Sequence, residues 1–356
     1  MSTRRTPRAP REGARAAGVT PARAAAVVEQ LARIERQGGE GTVVIGRGAR
    51  VDVTNLAKVY FPEKGYTKGD LMRYYTSVAP RLLPLLADRP LALKRYPNGI
   101  KGPSFFQQKA PEDPPPGVRV ARVAVEDEGE QPRFVGGDLV TLLYTVQLGT
   151  IAVHPWHSRL RTLDAPDYAI LDLDPGPRAA FARVVEVARW VGEALATAGL
   201  RGAWKTSGAT GIHVFLPLPP RTSYAAASDL TEAIARRVVR AHPEAATLER
   251  RIESRPPGAV YLDYQQNARG KTIACAYSAR ARPEATISAP LRWSELTRSL
   301  DPSDFTIATM RGRLERAAEW MAAMGKANTA AAVRENSNRR RAVTQVTRAT
   351  RDRSMR

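Results

Sequence analysis

The chain has 356 residues, 43% of them hydrophobic, which suits one large globular domain or two closely joined ones. Lys and Arg number 55 against 35 Asp and Glu, a net charge of +20, and that excess calls for a polyanionic partner such as nucleic acid. The single cysteine, Cys275, excludes an intramolecular disulfide and argues against a cysteine-based zinc site, and no apolar run approaches the ~20 residues that cross a bilayer.

In chain order, residues 1–22 are rich in Pro, Arg and Ala and read as a disordered basic arm. No signal peptide is read, and a cytoplasmic, nucleoid-associated setting is expected. Residues 24–36 predict a helix with Val27, Val28, Leu31 and Ile34 on one stripe, stopped by Gly38 and Gly39. Short strands are expected near 42–45 and 51–53. Thr67 and Asp70 fit a capping box for a helix running to about Leu86, and 91–96 reads as a strand ended by Pro97-Asn98-Gly99. A proline-rich loop follows at 111–116, then a helix through Gln147.

From about residue 150 the pattern alternates. Strands are expected near 150–154, 169–174, 202–205, 211–216, 259–265 and 272–276, with helices near 178–197 and 224–241. A helix over 310–324 closes the fold. Residues 326–356, with nine basic and two acidic side chains, read as a disordered basic tail. The fold class is therefore α/β (α+β): a mixed or antiparallel sheet flanked by helices, spanning about 23–325, with one part at about 40–150 and a second at about 150–325.

The segment carrying most chemistry is Tyr168 to Pro175. A strand repeats every two residues, so Asp172 and Asp174 project to one side about 7 Å apart, a spacing from which two carboxylates converge on hard cations. A D-x-D arises by chance about once in a chain this long, so the pair gains weight only from its surroundings. The stretch Trp204-Lys205-Thr206-Ser207-Gly208-Ala209-Thr210-Gly211-Ile212-His213 supplies them. Its two glycines let backbone amides approach a polyphosphate, with the Ser207 and Thr210 hydroxyls and the His213 imidazole alongside; a plain glycine hairpin is the simpler reading of the loop taken alone. Asp263 lies in the strand-like run Val260-Tyr261-Leu262-Asp263, where a solitary carboxylate is costly unless a cation pairs with it. Arg280 and Arg282 offer guanidinium groups suited to phosphate.

Together these motifs closely resemble the polymerase domain of bacterial ligase D, within the archaeo-eukaryotic primase superfamily, over about residues 42–325. The resemblance rests on Pro166-Asp167 through Gly176, on Ser207-Gly208 with Gly211 and His213, on Asp263-Tyr264 with Asn267-Ala268-Arg269-Gly270, and on Tyr277 through Pro283. It implies a primase-like catalytic sheet packed with an N-terminal α/β part that recognises DNA ends. It also implies two divalent ions, Mn2+ or Mg2+, on Asp172, Asp174 and Asp263, and an incoming NTP or dNTP contacted by Ser207, His213, Gln266 and Arg280, with His154 matching an active-site histidine. Thr210 departs from the family, where many relatives carry lysine.

The same resemblance assigns Lys58 and Lys68 to the 5′-phosphate of a recessed DNA end. It places Lys94 and Arg95 on the template and makes Phe105 and Phe106 a pair that stacks on template bases, although one of the two rings is expected to face the core. The activity implied is template-directed addition of nucleotides to a 3′-hydroxyl at gaps and double-strand breaks, in non-homologous end joining beside Ku. No K-x-D-G ligase nucleophile occurs in the sequence, so sealing is expected from a separate ATP-dependent ligase. The rival readings are a primase that starts RNA chains de novo, a catalytically silent module that bridges DNA ends, and, third, an Mn2+-dependent glycosyltransferase, which also uses D-x-D.

Overall fold

The computed structural model describes residues 19–46, 48–126, 128–314 and 318–338. Thr20, extended, accepts a bond from the Arg23 amide and starts α1 (Pro21–Arg36), so the helix begins inside the arm expected to be disordered to residue 22. Ala24, Val27, Leu31 and Ile34 form its buried stripe, whereas Val28, expected on the same stripe, is half-buried. A hairpin of β1 (Gly41–Gly46) and β2 (Ala49–Val53) follows, then a small one of β3 (Val59–Phe61) and β4 (Tyr66–Thr67). The expected capping box is present: Thr67 accepts from the Asp70 amide while Asp70 accepts from the Thr67 amide, launching α2 (Lys68–Leu86).

Next come β5 (Leu91–Arg95), β6 (Phe105–Gln107), the hairpin of β7 (Val120–Val125) and β8 (Gly129–Phe134), α3 (Leu139–Gln147) and β9 (Thr150–Pro155). Strands β6, β5 and β9 form a three-stranded antiparallel sheet in that order. The second part contains β10 (Tyr168–Pro175), α4 (Phe181–Thr197), β11 (Ala203–Thr206), β12 (Ile212–Pro217), α5 (Tyr224–Ala241), β13 (Ala246–Thr247), β14 (Val260–Asp263), β15 (Pro290–Leu291) and α6 (Ala318–Met324). Its six strands run in the order β13-β14-β10-β12-β11-β15, antiparallel except for the parallel β13–β14 pair. The mixed α/β class is as expected.

Alternation along β10 decides what each face does. Ala169, Leu171 and Leu173 are buried, and α4 and α5 pack against this strand. Asp172 and Asp174 therefore point to the opposite face, toward the first part of the molecule. The two parts are joined there by buried polar contacts: Tyr74 Oη donates to Tyr277 O (2.7 Å), the Ala279 amide to Tyr75 Oη (3.0 Å), and the Val153 amide to Ser278 Oγ (2.9 Å).

Three local expectations need correction. Residues 272–276 form no strand; Thr272 makes one bridge to Trp156 and the Cys275 amide bonds Val153 O, because the segment splices onto β9 while Pro290–Leu291 takes the edge beside β11. The helix expected over 310–324 is divided into a 3-10 turn, Met310–Arg313, and α6, with helix-weakening Gly312 inside the turn; residues 315–317 lie outside the described residues. The expected tail from 326 starts too early, since residues 330–338 are helical. Asn328 Nδ2 donates to Arg201 O and Pro217 O, Asn336 Nδ2 to Ala198 O, and Ser337 Oγ to Ala226 O, which fixes this segment to the second part. The remainder of the tail, and residues 1–18 of the arm, lie outside the described residues. Among the described residues no helix is long and apolar enough to cross a membrane.

Candidate active site

Register brings the chemistry together. Asp172 on the central strand faces Asp263 of β14 on one side and His213 of β12 on the other, and His213 faces Lys205 of β11. One row of polar side chains thus crosses four adjacent strands in the order Asp263, Asp172, His213, Lys205. Asp174 stands in the next row, opposite Tyr261. The carboxylates predicted from separated segments are cross-strand neighbours, an arrangement that like charges oppose unless a cation intervenes.

Electrostatics records that opposition. Burial, then Asp174 and Asp263, push the Asp172 carboxyl well above its ordinary range, and burial with Asp263 raises Asp174. Asp172 Oδ1 is buried without a hydrogen-bond partner; His213 Nε2 lies 3.3 Å away in poor geometry. Asp263 is turned toward the loop beyond its strand, accepting from the Gln265 amide and from Gln266 Nε2, each at 2.8 Å. Accordingly, among the described residues no three His, Cys, Asp or Glu side chains are gathered closely enough to enclose an ion by themselves. The donor set nevertheless fits hard divalent cations: all oxygen, acidic in excess, with a buried oxygen lacking a proton donor.

Cations sit on the other side of the row. Lys205 is fully buried, with Nζ 2.6 Å from His213 Nδ1 and 2.5 Å from Ser288 Oγ, and burial pushes it down to about 7. Burial and the Lys205 and Arg280 charges hold His213 well below its usual value, so the imidazole is neutral. Lys205 was not singled out from sequence. Its signal is parity, because it is the inward residue of β11 that pairs with His213. A second unpredicted group, Arg255, lies 4.2 Å over the Tyr261 ring and lowers Asp174 against the burial that raises it.

The two-glycine loop is built as its chemistry requires. Ser207 Oγ accepts from the Ala209 (3.1 Å) and Gly211 (3.0 Å) amides, and Arg280 Nη1 donates to Ser207 O. Gly208 has φ +72°, with a Cβ position 2.7 Å from the Ser288 amide, and a Cβ on Gly211 would stand 2.4 Å from Leu173 O. Neither position accommodates a side chain. Thr210 is exposed at the loop tip, beside a cleft of about 430 Å3 that Pro175, Phe181 and Arg298 also line. Gln266, matched by resemblance to a triphosphate contact, donates to Asp263 Oδ2.

The first part supplies a second cluster. Lys94 pairs with Phe106 and Arg95 with Phe105 across β5 and β6; Lys94 Nζ lies 4.6 Å from the Phe106 centroid and Arg95 Cζ 5.1 Å from that of Phe105. Both rings are exposed, at 46% and 54%, which corrects the expectation that one faces the core: β6 is an edge strand and neither of its faces is covered there. His154, on β9, meets Phe106 edge-on at 5.5 Å, and burial with Arg280, Lys205 and Lys94 pushes it down to about 3. Lys58 Nζ bonds Pro97 O (3.0 Å) and Asn98 Oδ1 (2.7 Å). Lys68, at a helix amino end where solvation is usual, is instead 4% exposed and donates to Thr54 O at 2.9 Å; burial and Lys58 push it down to about 8.

A carboxylate row across a mixed sheet, flanked by a glycine-built, arginine-backed loop, is the equipment of a nucleotidyltransferase. The family model described as "LigD, primase-polymerase domain" matches residues 67–321, and the chain belongs to that family. It is 34% identical over 268 residues to the bifunctional non-homologous end joining protein LigD of Bacillus subtilis, covering 75% of this chain and 43% of that protein. It is 32% identical over 270 residues to the multifunctional non-homologous end joining protein LigD of Pseudomonas aeruginosa, covering 76% and 32%. The chain thus spans less than half the length of these curated relatives. Among solved structures it is similar to the polymerase domain from Mycobacterium tuberculosis ligase D in complex with DNA, with TM-score 0.70, 31% identity, and coverage of 75% of this chain and 95% of that one.

Proposed function

We propose that this protein is a DNA repair polymerase that adds ribo- or deoxyribonucleotides, directed by a template, to a 3′-hydroxyl at 5′-phosphorylated gaps and double-strand break ends in bacterial non-homologous end joining. The observation that carries this reading is the registered row of Asp263, Asp172 and His213 beside the Ser207–Gly211 loop, with a buried carboxylate oxygen left unpartnered. Two divalent ions, Mn2+ or Mg2+, held by Asp172, Asp174 and Asp263 would supply Lewis acidity at the reacting phosphate and lower the pKa of the attacking hydroxyl.

The chain's own groups do the rest. Arg280, half-buried beside Ser207, places positive charge where a triphosphate meets the loop, and the closed Ser207 turn holds the backbone of that loop in one conformation. Lys205 Nζ lies 2.6 Å from His213 Nδ1, a contact that fixes the orientation of the neutral imidazole and turns its Nε2 toward Asp172. Lys58 uses two of its ammonium protons on Pro97 and Asn98 and Lys68 one on Thr54, so both keep donors for a DNA 5′-phosphate. Phe105 and Phe106 offer exposed faces to template bases, each with a cation alongside from Arg95 or Lys94. Such contacts position a backbone and stack on any base without reading sequence. Ku and a DNA ligase activity complete the pathway.

Primer extension on a 5′-phosphorylated gapped duplex tests the proposal, comparing NTPs with dNTPs and Mn2+ with Mg2+. Metal-dependent incorporation opposite template, lost in Asp172→Ala and in Asp263→Ala with end binding retained, is the expected result. Extension surviving in either variant would remove the metal assignment, and synthesis without any 3′-hydroxyl would favour the primase reading.

A further inference from the structure

Four residues before Asp172 on the same strand, about 13 Å along the backbone, Tyr168 lines a separate cleft of about 200 Å3. Its floor is aromatic: Tyr168 and Phe215 lie 4.9 Å apart, and Trp320 of α6 meets Phe215 edge-on at 5.7 Å. Leu85, Met321 and Met324 supply flexible apolar walls. An apolar cavity of about 150 Å3 is enough to take benzene, so this one suits a body of about two fused rings.

Two polar features point to what such a body should carry. Trp320 is 4% exposed, yet its Nε1–H has no acceptor among the described residues. A buried donor left unmet is costly, and an oxygen on a ligand would meet it. In the same lining Arg89 and Arg159 share one carboxylate, Asp167, which leaves one positive charge over. Arg89 spends its donors on Leu85 O, Trp156 O, His157 O and Asp167, whereas Arg159 Nη2 bonds nothing among the described residues.

From these observations we infer that the cleft under α6 is a binding site for a planar aromatic monoanion, distinct from the nucleotide site. The ring system stacks among Tyr168, Phe215 and Trp320, and the anionic group reaches Arg159. Because Tyr168 and Phe215 stand on the strands that carry Asp172 and His213, and on the same face of the sheet, an occupant braces both strands alongside the catalytic row.

Naphthalene-2-sulfonate is the probe and naphthalene-2-methanol its neutral counterpart, each titrated into the full chain by calorimetry. The sulfonate should bind about tenfold more tightly than the alcohol, the ratio a charge-assisted hydrogen bond supplies. Arg159→Gln, at a half-exposed position, should erase that ratio while leaving the alcohol's affinity unchanged. Ala276→Leu should fill the cleft and abolish binding of both; if it melts early, Met324→Trp fills it from the more exposed wall. A saturating nucleoside triphosphate should leave the sulfonate bound. No binding by the unmodified protein, an unchanged ratio in Arg159→Gln, or displacement by the triphosphate would each overturn the site.

Discussion

Raising the pH from 7 to 9 should weaken the preference for a 5′-phosphorylated DNA end about tenfold. Lys68 is 4% exposed, and burial with the neighbouring Lys58 charge holds it at about 8 rather than 10.5. With that value about nine-tenths of the side chain is charged at pH 7 and about one-tenth at pH 9. A 5′-phosphate is dianionic across this range and favours the charged form, so affinity is level below pH 8 and falls toward tenfold per unit above it. The net loss between pH 7 and 9 is about tenfold. Anisotropy with gapped duplexes bearing either a 5′-phosphate or a 5′-hydroxyl, at constant ionic strength, isolates the effect as a ratio of two affinities. The sign for stability runs the same way. The unfolded chain holds this proton more tightly, so the penalty is complete below about pH 8 and disappears as pH rises toward 10.5. Lys68→Met should therefore be the more stable protein at pH 7, by a margin that closes at high pH, and should keep only the weaker phosphate preference that Lys58 supplies, constant from pH 7 to 9. A wild-type ratio that stays constant from pH 7 to 9 would refute the reasoning.

Other perturbations separate the remaining parts of the site. Asp172→Asn should abolish nucleotide incorporation yet raise the melting temperature by a few degrees in chelator, because it removes a buried charge from a repulsive row, an effect on the order of 1–3 kcal/mol. An unchanged or lower melting point would mean that the row is not repulsive. Gly208→Ala puts a Cβ 2.7 Å from the Ser288 amide at φ +72°, and should cost about 1–3 kcal/mol in urea unfolding along with most of the incorporation rate. Phe106→Ala should weaken template binding by about 1–3 kcal/mol with little change in unfolding, since the ring is 54% exposed. Ending the chain at Asn338 removes seven Arg and one Asp while keeping the Asn328, Asn336 and Ser337 contacts, so it should flatten the salt dependence of DNA binding and leave the fold intact.

How much of this was legible in the sequence depended on whether the signal was local. The Thr67–Asp70 box, the α1 stripe and the Asp172–Asp174 alternation are set by residues two to four apart, and each appears as expected. Pairing partners are not local. That Asp263 lies opposite Asp172 follows from strand register across about ninety residues, for which resemblance stood in. Lys205 gives no local signal because its meaning lies in His213 on the next strand, and Lys68 resembles a solvated helix end because nothing nearby in sequence says that the Thr54 carbonyl closes over it. The divided helix at 310–324 shows the opposite failure, a good apolar period overridden at Gly312. Phe105 and Phe106 depart from strand parity, which predicts one buried ring only where a layer covers the strand.

The same features explain why the site is stable at all. A buried carboxylate facing two others is a burden that a fold of ordinary stability must offset elsewhere. Here the offset lies on the far side of β10, where Ala169, Leu171 and Leu173 are sealed under α4 and α5, and in the Tyr74, Tyr75 and Ser278 bonds that clamp the two parts together around the row. The strands cannot relax apart to relieve the repulsion, and Asp263 relieves it only by turning to Gln265 and Gln266. A divalent cation that drew Asp263 back into the row would have to break those two bonds. Metal binding should therefore loosen the loop at Gln265–Gln266 while tightening the strands, and hydrogen exchange with and without Mn2+ should show faster exchange at the Gln265 amide against slower exchange at Leu173 and Leu262. Protection rising at all three positions would mean that Asp263 keeps its loop contacts and that the ions rest on Asp172 and Asp174 alone.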